Sequence, residues 1–313
     1  MIVNQLRTMG DRRGVMERVS AGFPLSVYQT DFAALPYTPV SWHWHEDFQL
    51  CWVNRGAVRF QVVGQEYVLK EGAGLFINCR LAHMAEPASQ DGSYYGMNFH
   101  PDLICPRRDS ELYRRMVLPL IRPGAASAFV FRRDSAQGAA LDRAFRQIRT
   151  LSERELPERE LLIQSELLRA WPGILQMGGS SGEAVSASGN RRLKELLVYV
   201  SEHYGEKITL AHLAGRVHIS EGECSRFFKK ITGMTPFQYI LWYRIERSKE
   251  LLRQGEGTIA EIAQETGFAS QSYYALCFHR QEGCTPGEYR RLTRPGAGGW
   301  RKGSSLRAGK QIE

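Results

Sequence analysis

The sequence lacks the features that announce membranes, secretion or cysteine-based metal clusters. No apolar run approaches the roughly 20 residues needed to cross a bilayer. The opening MIVNQLRTMGDRR has no apolar stretch of signal-peptide type. Only six cysteines occur in 313 residues: Cys51, Cys79, Cys105, Cys224, Cys277 and Cys284. They form no CxxC pair and no regular spacing, which argues against a disulfide framework or a zinc ribbon. Several sit within apolar patterns, where free cysteine behaves as a small hydrophobe. A Gly-rich phosphate loop, a nucleophile elbow and an HExxH motif are also missing. The expectation is a cytoplasmic chain with no membrane partner and no cofactor.

Excess charge is lacking from the first two thirds of the chain. From Asn190 onward 20 lysines and arginines stand against 13 acidic residues, whereas the preceding 189 residues hold 21 and 20. Nearly all of the net +8 therefore lies in the C-terminal part. That part alone is suited to face a polyanion.

Within it one pattern occurs twice. The first copy, TLAHLAGRVHISEGECSRFFKKITGMTPFQYI, runs from Thr209 to Ile240, and the second, TIAEIAQETGFASQSYYALCFHRQEGCTPGEYR, from Thr258 to Arg290. Phe228, Gly233, Thr235, Pro236 and Tyr239 recur fifty positions on as Phe278, Gly283, Thr285, Pro286 and Tyr289. Leu213 and Ala214 recur as Ile262 and Ala263, one position closer, so the second copy has one extra residue between its helices. Each copy reads as helix, tight turn, helix. Leu210, Leu213, Ala214 and Val217 share one helical face. Ser220 with Glu223 makes a capping box. Phe227, Phe228 and Ile231 bury the second helix, whose opposite side carries Gly222, Ser225, Arg226, Lys229 and Lys230. An apolar back and a basic front suit a helix that enters a DNA major groove. For a single copy, a solvated basic face would explain as much; two copies at matched spacing argue for reading of double-stranded DNA.

Between the copies, Phe237, Ile240, Leu241, Ile245, Ser248 and Leu252 form an apolar or small stripe ended by Gly255 and Gly257. The run from near Arg191 to Arg290 resembles the paired DNA-binding domain of AraC/XylS-type transcription regulators. RFFKKITGMTP, RIERSKELL and IAEIAQETGFASQSYYALCFHRQEGCTPGEYR carry the resemblance. The second copy departs at Leu276 and His279, where that family has basic residues. By residue chemistry, Arg226 suits a bidentate contact to guanine and Gln271 one to adenine. Ser225, Ser272 and Tyr273 suit lighter contacts, and Leu276 a thymine methyl. Lys229 and Lys230 suit phosphate, and Arg280 belongs to the DNA-binding set at the end of the second reading helix.

Towards the N-terminus, short alternating segments with turns between them run from Phe23 to about Phe99, as in a sandwich or small barrel. Trp42 to Val53 alternates as one strand. His43, His45, Asp47, Gln49, Cys51 and Val53 share a face, and Trp44, Phe48, Leu50 and Trp52 share the other. HWHEDFQLCWVNRG and GAGLFINCRLAHM resemble the two motifs of a cupin, the jelly-roll barrel of the AraC-type effector domain. The resemblance places His43, His45 and His83 at metal-ligand positions, with Gln49 where a metal-binding cupin has glutamate. An amide is a poorer transition-metal ligand than a carboxylate. The reading taken is that His43, His45, Gln49, Cys51 and His83 line an effector pocket without metal. The three histidines as a metal site, or as satisfied interior polar groups, stand as alternatives.

The expected organisation is multidomain α+β. An irregular N-terminus (1–20) precedes a cupin-like jelly-roll barrel (21–108) and a helical dimerisation segment (109–177). A flexible linker (178–190), an all-α domain with two helix-turn-helix motifs (191–294) and a disordered basic tail (295–313) follow. In the helical segment Leu141, Phe145, Ile148 and Leu151 make one apolar face; Leu161, Leu162, Ser165, Leu168 and Leu175 make another. The expected function is a sequence-specific transcription activator of the AraC/XylS type. Its partners would be promoter DNA, a small-molecule effector, a second copy of itself and RNA polymerase. The alternatives are a metal-dependent cupin enzyme with an accessory basic domain and a non-specific architectural DNA binder.

Overall fold

The computed structural model describes residues 7–8, 14–15, 18–33, 40–122, 125, 128–180, 187–255 and 257–293. Contacts divide the chain into two compact units. One is Met1–Val198 with Lys230–Gly233; the other is Tyr199–Lys229 with Met234–Glu313. Among the described residues no helix is long and apolar enough to cross a membrane.

The strands all lie in the first unit. They are β1 (Arg7–Thr8), β2 (Gly14–Val15), β3 (Leu25–Asp31), β4 (Val40–His43), β5 (Phe48–Arg55) and β6 (Ala57–Val62). β7 (Gln65–Lys70), β8 (Ala73–Ile77), β9 (His83–Pro87), β10 (Ser93–Phe99) and β11 (Ala128–Arg132) follow. β1 and β2 form a two-residue ladder in a stretch expected to be irregular. The others build two antiparallel sheets, β11-β8-β5-β10-β3 and β4-β9-β6-β7. Period-two alternation divides β5 between two environments. Phe48, Leu50 and Trp52 join the core beneath the helices. Gln49, Cys51 and Val53 are buried on the opposite face. Phe60 of β6 meets Tyr94 of β10 at 5.2 Å, so the two sheets face each other across an aromatic interior.

The helices of this unit are α1 (Glu111–Met116), α2 (Leu118–Ile121), α3 (Ala136–Ser152), α4 (Arg159–Ser180) and α5 (Ala187–His203). Leu141, Phe145, Ile148 and Leu151 of α3 are buried as expected. Three expectations are corrected. The strand from Trp42 to Val53 breaks at His45–Asp47, separating β4 from β5; there the His45 ring donates to its neighbour's backbone, Asp47 O, at 2.9 Å. The segment 109–177 is not all helical, because AFVFR extends the five-stranded sheet by pairing with β8. Its Ala128, Phe129 and Phe131 are buried and its Val130 and Arg132 exposed, a strand alternation among helices. On α4 the buried stripe is Ile163, Leu167, Ala170, Trp171 and Ile174, while Leu161, Leu162 and Leu168 are exposed. The helix is rotated so that Trp171 packs on Phe48 at 5.4 Å. Of the expected linker, 181–186 lies outside the described residues, as does the expected tail from 295.

In the second unit, apart from Lys230–Thr232 at the end of α7, follow α6 (Leu210–Arg216), α7 (Glu221–Thr232), α8 (Pro236–Gln254), α9 (Ile259–Glu265), α10 (Gln271–Glu282) and α11 (Pro286–Thr293). The duplication is visible at every boundary. Thr209 and Thr258 cap the first helix of each copy. Ser220 and Glu223 bond reciprocally, completing the capping box. Ser270 caps α10 through Tyr273 N–H at 3.2 Å. Each turn needs one left-handed residue, His218 (φ 54°) in the first copy and Gly267 (φ 82°) in the second. The extra residue of the second copy, Ala269, falls just after this turn. The stripe on α8 is buried at Ile240, Ile245, Ser248 and Leu252, but Phe237 is exposed.

Gly267 carries two constraints that separate it from Gly283. Both have positive φ, but a Cβ on Gly267 would lie 2.5 Å from Tyr204 O, whereas one on Gly283 meets nothing within 4 Å. Gly283→Ala should cost about 1–2 kcal/mol, the left-handed penalty alone. Gly267→Ala should cost clearly more, because backbone must move. Chemical denaturation of the two variants checks this; equal losses would contradict it.

Candidate functional site

Two sites emerge, one in each unit. In the second unit, the solvent exposure of α7 and α10 repeats residue for residue. From Glu221 to Gly233 and from Gln271 to Gly283 the order of exposed, half-buried and buried positions is identical. Cys224, Phe228 and Thr232 are the buried positions of one, and Tyr274, Phe278 and Glu282 those of the other. Period 3.6 then presents Gly222, Arg226, Lys229 and Lys230 outward on α7, with Ser225 half-buried beside them. The Arg226 guanidinium folds back over the start of its helix, 3.4 Å from where a Gly222 Cβ would stand. On α10, Gln271, Ser272, Tyr273, His279 and Arg280 are exposed, as is Leu276 at 56 %. A large apolar side chain left in water at the centre of this face suits a methyl-bearing partner.

In the first unit, the structure clusters three of the five residues predicted for the sheet interior and sets Gln49 close enough to influence His45. His43, His45 and His83 are 2–3 % exposed. Their ring centroids lie 4.2 Å (His43–His83), 4.9 Å (His45–His83) and 5.8 Å (His43–His45) apart. His43 and His83 are direct partners across β4 and β9. Each ring is held by its own backbone: Nδ1–H donates to Ser41 O from His43, to Asp47 O from His45 and to Leu81 O from His83, at 2.8–2.9 Å. A carbonyl only accepts, so each Nδ1 carries the proton in the neutral ring and each Nε2 presents a lone pair. The Nε2 atoms of His45 and His83 have no hydrogen-bond partner. Burial pushes both imidazoles below their ordinary pKa, His83 well below, with further lowering there from the other two histidines.

Gln49 and Cys51 sit on the other sheet. Gln49 Nε2 donates to the Tyr28 hydroxyl oxygen at 2.5 Å, and that hydroxyl donates to Asn98 Oδ1 at 3.2 Å. This relay fixes the amide and leaves the buried Gln49 Oε1 without a partner. Burial raises the Cys51 thiol well above its ordinary pKa, keeping it protonated. Tyr28 and Asn98 were not anticipated from the sequence, although LSVYQTD alternates in a way that points Tyr28 inward. A separate open cleft of about 530 Å³ is lined by Tyr67, Leu69, Phe131 and Asp134 among others, and none of the five predicted residues borders it.

Comparison with known proteins identifies a domain around each of these regions. A family model described as an AraC-like ligand binding domain matches residues 32–170, and one described as a helix-turn-helix domain matches residues 213–292. The chain is 29% identical over 283 residues to the uncharacterized HTH-type transcriptional regulator YdeC of Bacillus subtilis, covering 88% of this chain and 94% of that one. It is 23% identical over 270 residues to the HTH-type transcriptional activator RhaS of Citrobacter koseri, covering 82% and 89%. Among solved structures, an apo ToxT variant from Vibrio cholerae superposes with a TM-score of 0.45 at 14% identity, covering 86% and 97%.

The relay through Tyr28 is testable by stability. Tyr28→Phe removes the acceptor of Gln49 and the donor to Asn98, leaving two buried polar groups unpaired. It should destabilise the first unit by about 1–3 kcal/mol. Urea unfolding followed by tryptophan fluorescence checks this, and an unchanged midpoint would show the relay to be dispensable.

Proposed function

The chain belongs to the AraC/XylS-type transcription regulators, and from that premise we propose that α7 and α10 are its two DNA-reading helices and that the sheet interior around the three histidines senses an effector. It is a sequence-specific DNA-binding transcription regulator. The observation that best supports the assignment of the reading helices is the repeated exposure pattern, which offers two equivalent faces with polar and basic groups. The faces are not alike in chemistry. On α7, Arg226 reads guanine while Lys229 and Lys230 hold phosphate. On α10, Gln271 reads adenine, Ser272 and Tyr273 add lighter contacts, Leu276 meets a thymine methyl and Arg280 holds phosphate. The first copy thus supplies more of the salt-dependent affinity.

The effector reading is supported by buried polar atoms without partners beside an aromatic interior. A ligand there shifts DNA binding only by its differential affinity for two arrangements of the chain. We propose a homodimer formed through the exposed Leu161, Leu162 and Leu168 of α4, with Leu161 69 % exposed. By analogy with the relative named an activator, the DNA-bound dimer recruits RNA polymerase in the cytoplasm. No catalytic role is proposed.

Selection of bound sites from random DNA, with and without candidate metabolites, tests the function as a whole. Recovery of no consensus would overturn sequence-specific reading by these faces. Within a recovered site, Arg226→Ala should cost about 1–3 kcal/mol and relax specificity at one base pair. Lys229→Ala should weaken binding to all sequences alike and flatten its salt dependence. A uniform loss from Arg226→Ala would move base reading elsewhere.

A further inference from the structure

The cupin resemblance sets His43, His45 and His83 at metal-ligand positions and their geometry fits one divalent ion of the zinc class; we propose that α5 senses such an ion through Asn190 and Lys194. This deepens the sensing role proposed above and rests on it.

The first half stands on donor geometry. Possible ligand atoms of the three buried histidines lie within 4.8 Å of one another. Each Nδ1–H is committed to a backbone carbonyl, two residues away in the chain in every case. Such bonds fix the tautomer and orientation of a metal-ligating imidazole. The remaining donors are the three Nε2 atoms, of which two have no hydrogen-bond partner in a site without solvent exposure. Leaving buried acceptors unpaired is costly. A cation that takes three lone pairs removes the cost. Three imidazoles suffice for zinc, with bonds of about 2.0–2.1 Å and a fourth position open. Gln49, whose Oε1 is buried without a hydrogen-bond partner, lies close enough to His45 to influence its ring. Imidazole nitrogen selects zinc-class ions over calcium or magnesium, which prefer oxygen. Asp47, buried beside His45 and paired with Arg18 at 3.0 Å, supplies a nearby negative charge.

The second half stands on what touches the two segments that carry these ligands. Asn190 accepts from Ala82 N–H at 3.1 Å and donates to Arg80 O at 2.9 Å. Those two residues flank Leu81, whose carbonyl orients His83. Lys194, one turn further along α5, places its ammonium 3.9 Å from the ring centre of Trp44, which stands between His43 and His45 in the chain. One face of the first turns of α5 thus grips both ligand-bearing segments. Asn190 and Lys194 belong to the same compact unit as the histidines, and α5 runs on past Val198 to His203. Closing three imidazoles on an ion shifts the His43–His45 and Arg80–His83 segments together. Such a shift is transmitted first to Asn190 and Lys194.

The test uses the full chain, stripped with a chelator and titrated with zinc chloride against a chromogenic competitor. One zinc per chain is expected. His45→Gln and His83→Gln should each weaken binding by about tenfold or more, by analogy with losses on disturbing such ligand sets. Cobalt(II) bound to the unaltered chain should show the visible bands of a low-coordinate nitrogen site, a readout that needs no variant to fold. Amide exchange of residues 188–198 should slow by about threefold or more on zinc addition. Asn190→Ala should abolish that slowing while still binding one zinc. No saturable zinc or cobalt binding would overturn the metal site and leave a small-molecule effector to be sought. Stoichiometric zinc with unchanged exchange in α5 would overturn the sensing route alone.

Discussion

Polar side chains of α8 hold the DNA-reading unit together. Arg244 donates to Tyr204 O at 2.8 Å and to Glu206 O at 2.6 Å, tying the end of α5 and the approach to α6. Lys249, 1 % exposed, bonds Glu246 on its own helix and Glu282 on α10, both at 3.0 Å. Arg253 donates to the Tyr289 hydroxyl of α11 at 2.6 Å. At the other end, Phe228 of α7 packs edge-on against Tyr239 of α8 at 5.3 Å. A buried ion pair adds little net stability compared with a hydrophobic replacement, but it demands its partner in one geometry. That demand fixes α10 on α8. The same helix contacts α7 through aromatic packing, so α7 and α10 are both anchored on α8.

Much of this was legible in the sequence because the repeat is local. Capping residues act within four positions, and Thr209, Ser220, Thr258 and Ser270 each do what their type predicts. The cross-links were not legible. Lys249 and Glu282 are 33 positions apart and read as ordinary surface charges until the fold buries them. The first unit was less readable for the same reason. Alternation assigned the faces of β5 correctly, yet could not show that the strand breaks at His45, since that break depends on a ring-to-backbone bond. β11 was overlooked because five residues between helices carry little pattern; its stability comes from pairing with β8. On α4, Leu161 and Leu168 fit an apolar stripe as well as Ile163 and Trp171 do. Packing on Phe48 and Phe99 decided between them.

Long-range pairing also explains how histidines from separate segments come together. His43 and His83 are opposed in register across two strands, and His45 reaches them only because the chain turns immediately after β4. Carbonyls two residues away aim all three rings. Asn190 reaches the same segments from more than one hundred positions on. Helix α5 runs from Ala187 to His203, so the chain passes from the first unit into the second within it.

We propose that two helices, α7 and α10, set apart by α8, read DNA together. Hydroxyl-radical footprinting of the full chain on a selected site measures this most directly. Each protomer should protect two segments on one face of the duplex, with centres about 10 base pairs apart, one helical turn. A single protected segment per protomer, unchanged when the exposed residues of α10 are replaced by alanine, would contradict it.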